Sequence, residues 1–162
     1  MVQNLNNSFK LSKKIKLAVI GGGYDSTIAK THLRSILSTG KYEIICGCFT
    51  EKKNKNLKNS KFYSLPKNKI YNNLKKLISV ERQNIDLALV LIPPNKRYEA
   101  YRQLAENGIG IIAEKPFEGN SKKAKNIYRY IKDKKIFFTN MYNYLGYPAI
   151  MEIKPLLKEI GI

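Results

Sequence analysis

The chain has 162 residues, a length at which one domain buries roughly two thirds of its unfolded surface without disulfides or metals. Thirty basic residues against 12 acidic ones leave a net charge of +18, while 43% hydrophobic and 26% charged residues exclude a disordered or fibrous chain. No apolar run reaches the ~18 residues of a membrane-spanning helix, and two cysteines make no disulfide framework, so a reducing, cytoplasmic setting is expected.

Residues 1–14 are a polar, Asn-rich leader without the apolar core of a signal peptide. Ile15–Ile20 (IKLAVI) is a β-branched run with no polar alternation, which suits a parallel strand covered on both faces. Gly21–Gly23 ends it. Asp25 or Ser26 can cap a helix through about Ser38, with Ile28, Leu33, Ile36 and Leu37 as the expected buried stripe and Gly40 at its C-terminus. Tyr42–Phe49 reads as a second strand. Thr50–Asn59 reads as a loop with a short helix, and Phe62–Leu65 as a short strand. Leu74, Leu77 and Ile78 mark a helix to about Gln83. Ile85–Ile92 is another buried strand, stopped by Pro93-Pro94, and Asn95 can cap a helix carrying Tyr98, Tyr101, Leu104 and Ala105. Ile109–Ala113 is a strand, and Ser121 caps a helix carrying Ala124, Ile127, Tyr128 and Ile131. Ile136–Thr139 is the last strand, and Pro148 starts a final helix to Glu159. The alternation implies an α/β fold: a doubly wound, mostly parallel sheet with ligand chemistry at the carboxyl ends of its strands.

The excess charge is lysine, 25 Lys against 5 Arg, beside 16 Asn and 20 Ile. These three residues share A/T-rich codons, so genome composition accounts for the profile. Readers of phosphates and base edges favour the planar Arg fork, and the lysines here are spread along the whole chain. No specific nucleic-acid partner and no membrane partner is expected. Weak, salt-sensitive affinity for polyanions follows from charge alone.

Four short segments carry the chemistry. Gly21, Gly22 and Gly23 lie between a strand and a helix whose free N–H groups favour an anion, and Ser26 falls where G-x-G-x-x-G has its third glycine. Thr50 stands where such a fold often has a carboxylate for the adenosine ribose. The cations Lys52 and Lys53 follow, an arrangement that tolerates a 2′-phosphate and favours NADP over NAD, with Glu51 pointing away. Pro93-Pro94-Asn95 turns the chain at a strand's carboxyl edge. Glu114-Lys115-Pro116 puts a charge that can orient a substrate hydroxyl at the end of another. His32 reads as packing, Cys46 and Cys48 as small buried residues, and the tyrosines at 98, 101, 128, 130, 142 and 144 as amphipathic packing; no metal site is expected.

Ala18–Gly23, Ile92–Asn95 and Ala113–Pro116, in that order and spacing, resemble the glucose–fructose oxidoreductase / inositol dehydrogenase (Gfo/Idh/MocA) family. The glycine loop with Ser26 and His32, and the stretch from Asn143-Tyr144 to Tyr147-Pro148, resemble one branch of it. Ala29 and Tyr98 depart from its pattern, where the branch has Gly and the family often has His. The resemblance implies that the glycine loop holds NAD(P) and that Lys115 sits by the nicotinamide and substrate, with Pro94, Asn95 and Glu114 at that end. It implies hydride transfer between the nicotinamide and a sugar-like alcohol. It also implies that residues 15–147 are the NAD(P)-binding domain and 148–162 the start of a connection to an absent C-terminal α/β substrate domain. The chain then reads as truncated, inactive on a sugar-like substrate without its second half, and inclined to form homo-oligomers through apolar surface left uncovered. The alternative is a non-catalytic nucleotide-binding or partner-binding module. A methyltransferase-like fold is disfavoured by the E-K-P segment and by the non-acidic end of strand two.

Overall fold

Ile15–Gly21 forms strand β1, and its inner residues Leu17 to Gly21 are all buried, as an uninterrupted apolar run requires when both faces are covered. The computed structural model describes residues 13–50 and 53–161; residues 1–12 of the expected leader, Glu51 and Lys52 lie outside the described residues. The chain divides between Leu87 and Ala88 into two compact units.

In the first unit, β1 is followed by α1 (Thr27–Thr39), β2 (Tyr42–Cys48), α2 (Lys53–Tyr63), β3 (Ile70–Tyr71) and α3 (Leu74–Glu81), with single 3-10 turns at Lys67–Lys69 and Arg82–Asn84. The strands lie in the order β3-β2-β1. β1 and β2 run parallel, from Ile15 opposite Tyr42 to Ile20 opposite Cys48, with a shift of register between Leu17 and Ala18. The second unit contains β4 (Leu87–Leu91), α4 (Pro94–Glu106), β5 (Gly110–Glu114), α5 (Ser121–Asp133), β6 (Phe138–Met141), a 3-10 turn at Asn143–Gly146, and α6 (Pro148–Glu159). Its strands lie in the order β4-β5-β6, and β5 and β6 pair in parallel. Strand and helix alternate in both units, as the α/β reading expects. Among the described residues no helix is long and apolar enough to cross a membrane.

Five local expectations are corrected. In α1 the inward residues are Ala29 and His32; Ile28 and Leu37 are 40% and 69% exposed. Small Ala29 sets the inward face at the first turn, and the large apolar residues at 28 and 37 fall outside it. The stretch read as a loop and a short strand is the 11-residue helix α2, and Phe62 and Tyr63 are its last turn. Its inward residues Asn59 and Tyr63, four apart, are polar, so no apolar stripe announces the helix. Ser64 then takes a left-handed φ of 52°, and the strand comes later, at Ile70–Tyr71. Helix α4 begins one residue before the expected cap: Pro94 occupies its first turn, where a missing N–H costs nothing, and Asn95 is already helical and exposed. Helix α5 is capped by Asn120, which accepts from the Lys123 N–H at 3.0 Å, and not by Ser121. Of the tyrosines expected to pack, Tyr101 is fully buried and Tyr98 half-buried, while Tyr128, Tyr142 and Tyr144 are exposed.

Candidate functional site

The turn after β1 is shaped by backbone freedom. Gly21 and Gly22 take left-handed φ values of 79° and 63°, which a side chain would strain. The chain then enters α1 through Ser26, whose Oγ accepts from the Ala29 N–H at 3.3 Å. Helix α2 holds this turn from the side. The Tyr63 hydroxyl donates to the Gly22 carbonyl, and Asn59 Oδ1 accepts the Tyr24 N–H at 2.9 Å. Lys55 Nζ pairs with Asp25 Oδ2 at 2.9 Å, and Lys58 lies over the Tyr24 ring. Asn59 is 1% exposed, yet its Nδ2 has no hydrogen-bond partner among the described residues. Burial pushes the Tyr63 phenol well above its usual range, so it remains a donor. Gly23 is not left-handed; a Cβ there would lie 3.3 Å from both Asn59 Oδ1 and Asp25 Oδ1. Thr50 follows β2 and is half-buried, and Lys52 lies outside the described residues.

In the second unit, Glu114 ends β5 half-buried, and its carboxylate accepts the Lys115 N–H at 3.0 Å. The Lys115 side chain is exposed. Arg97 on α4 holds this turn. It is 4% exposed; its Nε donates to the Ile92 carbonyl at 2.7 Å, and its Nη1 donates to the carbonyls of Glu114 and Pro116. One guanidinium thereby ties the turn after β4 to the turn after β5. Tyr101, one helical turn on, stacks on Phe117 and donates to its carbonyl at 3.2 Å. Pro94 and Asn95 occupy the first turn of the same helix.

Away from both turns, Glu81 is 1% exposed and accepts from Lys69 Nζ at 2.8 Å and from the Tyr71 hydroxyl. A cavity of about 530 Å³ beside it, lined in part by Lys16, Glu43, Pro66 and Lys69, contains none of the residues assigned to a cofactor from sequence. Burial raises the Cys46 thiol to about 12, so it is not a nucleophile at neutral pH.

A left-handed glycine turn between a buried strand and a side-chain-capped helix is the form of a dinucleotide cradle. Residues 15–142 match the model of the oxidoreductase family with an NAD-binding Rossmann fold, Gfo/Idh/MocA. This chain belongs to that family. An uncharacterised oxidoreductase of Schizosaccharomyces pombe is 32% identical over 76 residues, 47% of this chain and 20% of the relative. Among solved structures, an oxidoreductase from Sinorhizobium meliloti matches with a TM-score of 0.83 and 22% identity, over 91% of this chain and 42% of its own. An inositol dehydrogenase homologue complexed with NAD+, from Azotobacter vinelandii, matches with a TM-score of 0.85 and 18% identity, over 93% of this chain and 39% of its own. The Gfo/Idh/MocA domain described here thus spans about two fifths of those solved chains.

The glycine loop and the E-K-P turn stand at strand ends, as expected. The residues that hold them were not expected. Arg97 had a readable signal, because it falls in the i, i+4, i+7 register with Tyr101 and Leu104, on the face that packs inward. Asn59 and Tyr63 had none, since the helix that carries them has no apolar periodicity.

Proposed function

We propose that this Gfo/Idh/MocA domain binds a nicotinamide dinucleotide, with the pyrophosphate on Gly21, Gly22, Gly23 and Ser26. One observation carries the reading: the left-handed pair Gly21-Gly22 leads into Ser26-capped α1 beside the buried Asn59 Nδ2, which has no partner among the described residues. A buried donor without an acceptor costs roughly 1–3 kcal/mol, and a phosphate oxygen is an acceptor of the required kind. When bound, the nicotinamide supplies hydride transfer. In the whole protein, Lys115 orients the hydroxyl of a sugar-like substrate at that end, with Pro94, Asn95 and Glu114 shaping the turns around it. We place the protein in the cytoplasm, in keeping with two free cysteines. Titration calorimetry with NADH is the test: weak binding is expected, without turnover of sugars or inositols by the 162-residue chain alone. A folded sample giving neither heat nor a thermal shift at millimolar cofactor refutes the reading.

NADPH is expected to bind about tenfold more tightly than NADH. Thr50 is neutral where a carboxylate would repel a 2′-phosphate, and Lys52 follows two residues later. The preference shrinks as salt rises, and Thr50→Asp reverses it. Equal or tighter NADH binding at low salt removes the NADP assignment and points to Glu51.

A second reading, a cofactor-holding module that assembles with another protein surface, draws on α6 and the turn before it. Tyr144, Met151, Leu156 and Ile160 are each more than half exposed there. Self-association through this face is expected, and sedimentation velocity measures it. A monomer at high concentration counts against it.

A further inference from the structure

The space over Gly23 is filled by the chain's own oxygen atoms. A Cβ built on Gly23 meets Asp25 Oδ1 and Asn59 Oδ1, each at 3.3 Å. Asp25 is the residue before the cap of α1, so its carboxylate lies at the end of the helix where an anion is favoured. Lys55 of α2 meets that carboxylate at 2.9 Å. The Lys55 ammonium, and after it the residue's own backbone N–H, hold the Asp25 carboxyl below its ordinary value of 3.8, so it is an anion throughout the neutral range. Other donors of the turn are also satisfied from within. The Tyr24 N–H goes to Asn59 Oδ1 at 2.9 Å, the Ser26 N–H to the Gly23 carbonyl at 2.8 Å, and the Ala29 N–H to Ser26 Oγ at 3.3 Å.

One donor does not fit this pattern of internal satisfaction. Asn59 Nδ2 is buried, has no partner among the described residues, and lies 4.0 Å from the same Cβ position on Gly23. The Tyr24 N–H fixes which end of the amide is the oxygen, so the nitrogen faces the turn with nothing to donate to. A turn with an internal anion, a cation shared with that anion and an idle amide donor is arranged for exchange.

We propose that the Asp25 carboxylate is an internal stand-in for a dinucleotide phosphate, and that binding passes Lys55 from Asp25 to the pyrophosphate, which also accepts from the idle Asn59 amide. Asp25 is then a competitor of the ligand, and Lys55 and Asn59 are further binding residues. The inference rests on the dinucleotide reading above and adds to it a gate built from charge. Asp25 and Lys55 have side chains 55% and 43% exposed, so both swing aside without opening the core.

The experiment titrates NADH, and inorganic pyrophosphate as the simpler probe, into the wild-type chain, Asp25→Asn and Lys55→Gln at two salt concentrations. Asp25→Asn keeps the shape and removes the charge; it is expected to bind both probes about three- to tenfold more tightly. Lys55→Gln is expected to bind them more weakly by a similar factor of about three to ten, with a flatter dependence on salt. The salt slope separates a direct phosphate contact from a structural effect, and thermal unfolding of the variants unchanged from wild type confirms intact folds. Wild-type binding that Asp25→Asn leaves equal or weakens overturns the competitor role while the dinucleotide reading stands. Binding and salt slope unchanged in Lys55→Gln overturn the transfer of the cation. Binding seen only in Asp25→Asn supports the proposal in its strongest form, and no binding in either protein overturns both readings.

Discussion

The turn after β1 and the turn after β5 both follow buried strands, but opposite means hold them. The first is bent by two left-handed glycines and steadied by neutral groups, the Tyr63 hydroxyl and the Asn59 amide, with the half-exposed Asp25–Lys55 ion pair at its side. The second is gripped by a buried guanidinium that donates to three carbonyl oxygens. The difference teaches where each turn can change. The first keeps its charges exposed and exchangeable, as suits a place where an anion comes and goes. The second spends a permanent cation on fixing backbone, which leaves Lys115 exposed on a rigid support.

The largest expected effect breaks the second turn. Arg97→Ala removes three charge-assisted bonds from carbonyls of Ile92, Glu114 and Pro116, at a site 4% exposed. A loss of about 3–5 kcal/mol is expected in urea unfolding. Arg97→Lys recovers only part of it, since an ammonium cannot span the same carbonyls with a planar fork. A loss below about 1 kcal/mol would falsify the claim that the guanidinium holds this turn.

How much of this was legible depends on what kind of residue carried it. Strand β1, the E-K-P turn and α6 at Pro148–Glu159 stand where apolar runs, proline and spacing put them. Those signals are local, and the backbone obeys them directly. Helix α2 was hidden because its inward positions are Asn59 and Tyr63, which bond to a turn some 35–41 residues earlier in the chain. The cap of α5 slipped by one residue from Ser121 to Asn120 because neighbouring polar residues compete for the same role, and α4 started ahead of Asn95 because Pro94 suits a first helical turn. Arg97 hid differently: a charged residue reads as surface until the carbonyls that receive it are in place.

The next effect compares the buried charges of the two units. Glu81 is 1% exposed and Arg97 4%. Burial works to raise its carboxyl, while bonds from Lys69, Tyr71 and Asn84 outweigh burial and hold it below its ordinary value of 4.5. A depressed folded value means that its stabilisation is complete above pH 4.5 and disappears as pH falls through that lower value. The first unit should therefore loosen in acid. Glu81→Gln is expected to cost about 2 kcal/mol at neutral pH and to flatten the acid limb of a stability–pH curve. Hydrogen exchange resolved by residue reads the two units separately. Equal acid sensitivity of wild type and Glu81→Gln would remove Glu81 as the group responsible.

The smallest effect tests whether side-chain capping adds to what the glycines supply. Ser26 Oγ accepts the Ala29 N–H at 3.3 Å, longer than the usual bond, on a helix with no acidic residue in its first turn. Capping serines contribute about 0.5–2 kcal/mol, and a long bond belongs near the lower end, so Ser26→Ala should cost about 1 kcal/mol or less. Ser26→Gly should cost only a few tenths, because glycine also suits a helix N-cap. The two substitutions remove the same hydroxyl, so dinucleotide affinity separates the hydroxyl's two roles. If Ser26 touches a phosphate, both variants lose affinity equally although their stabilities differ. If it serves only as a cap, affinity follows stability and Ser26→Gly binds like the wild type. The second outcome would leave the phosphate to backbone N–H groups and to α2, and would make the glycine turn a site held from the side and not from its own helix.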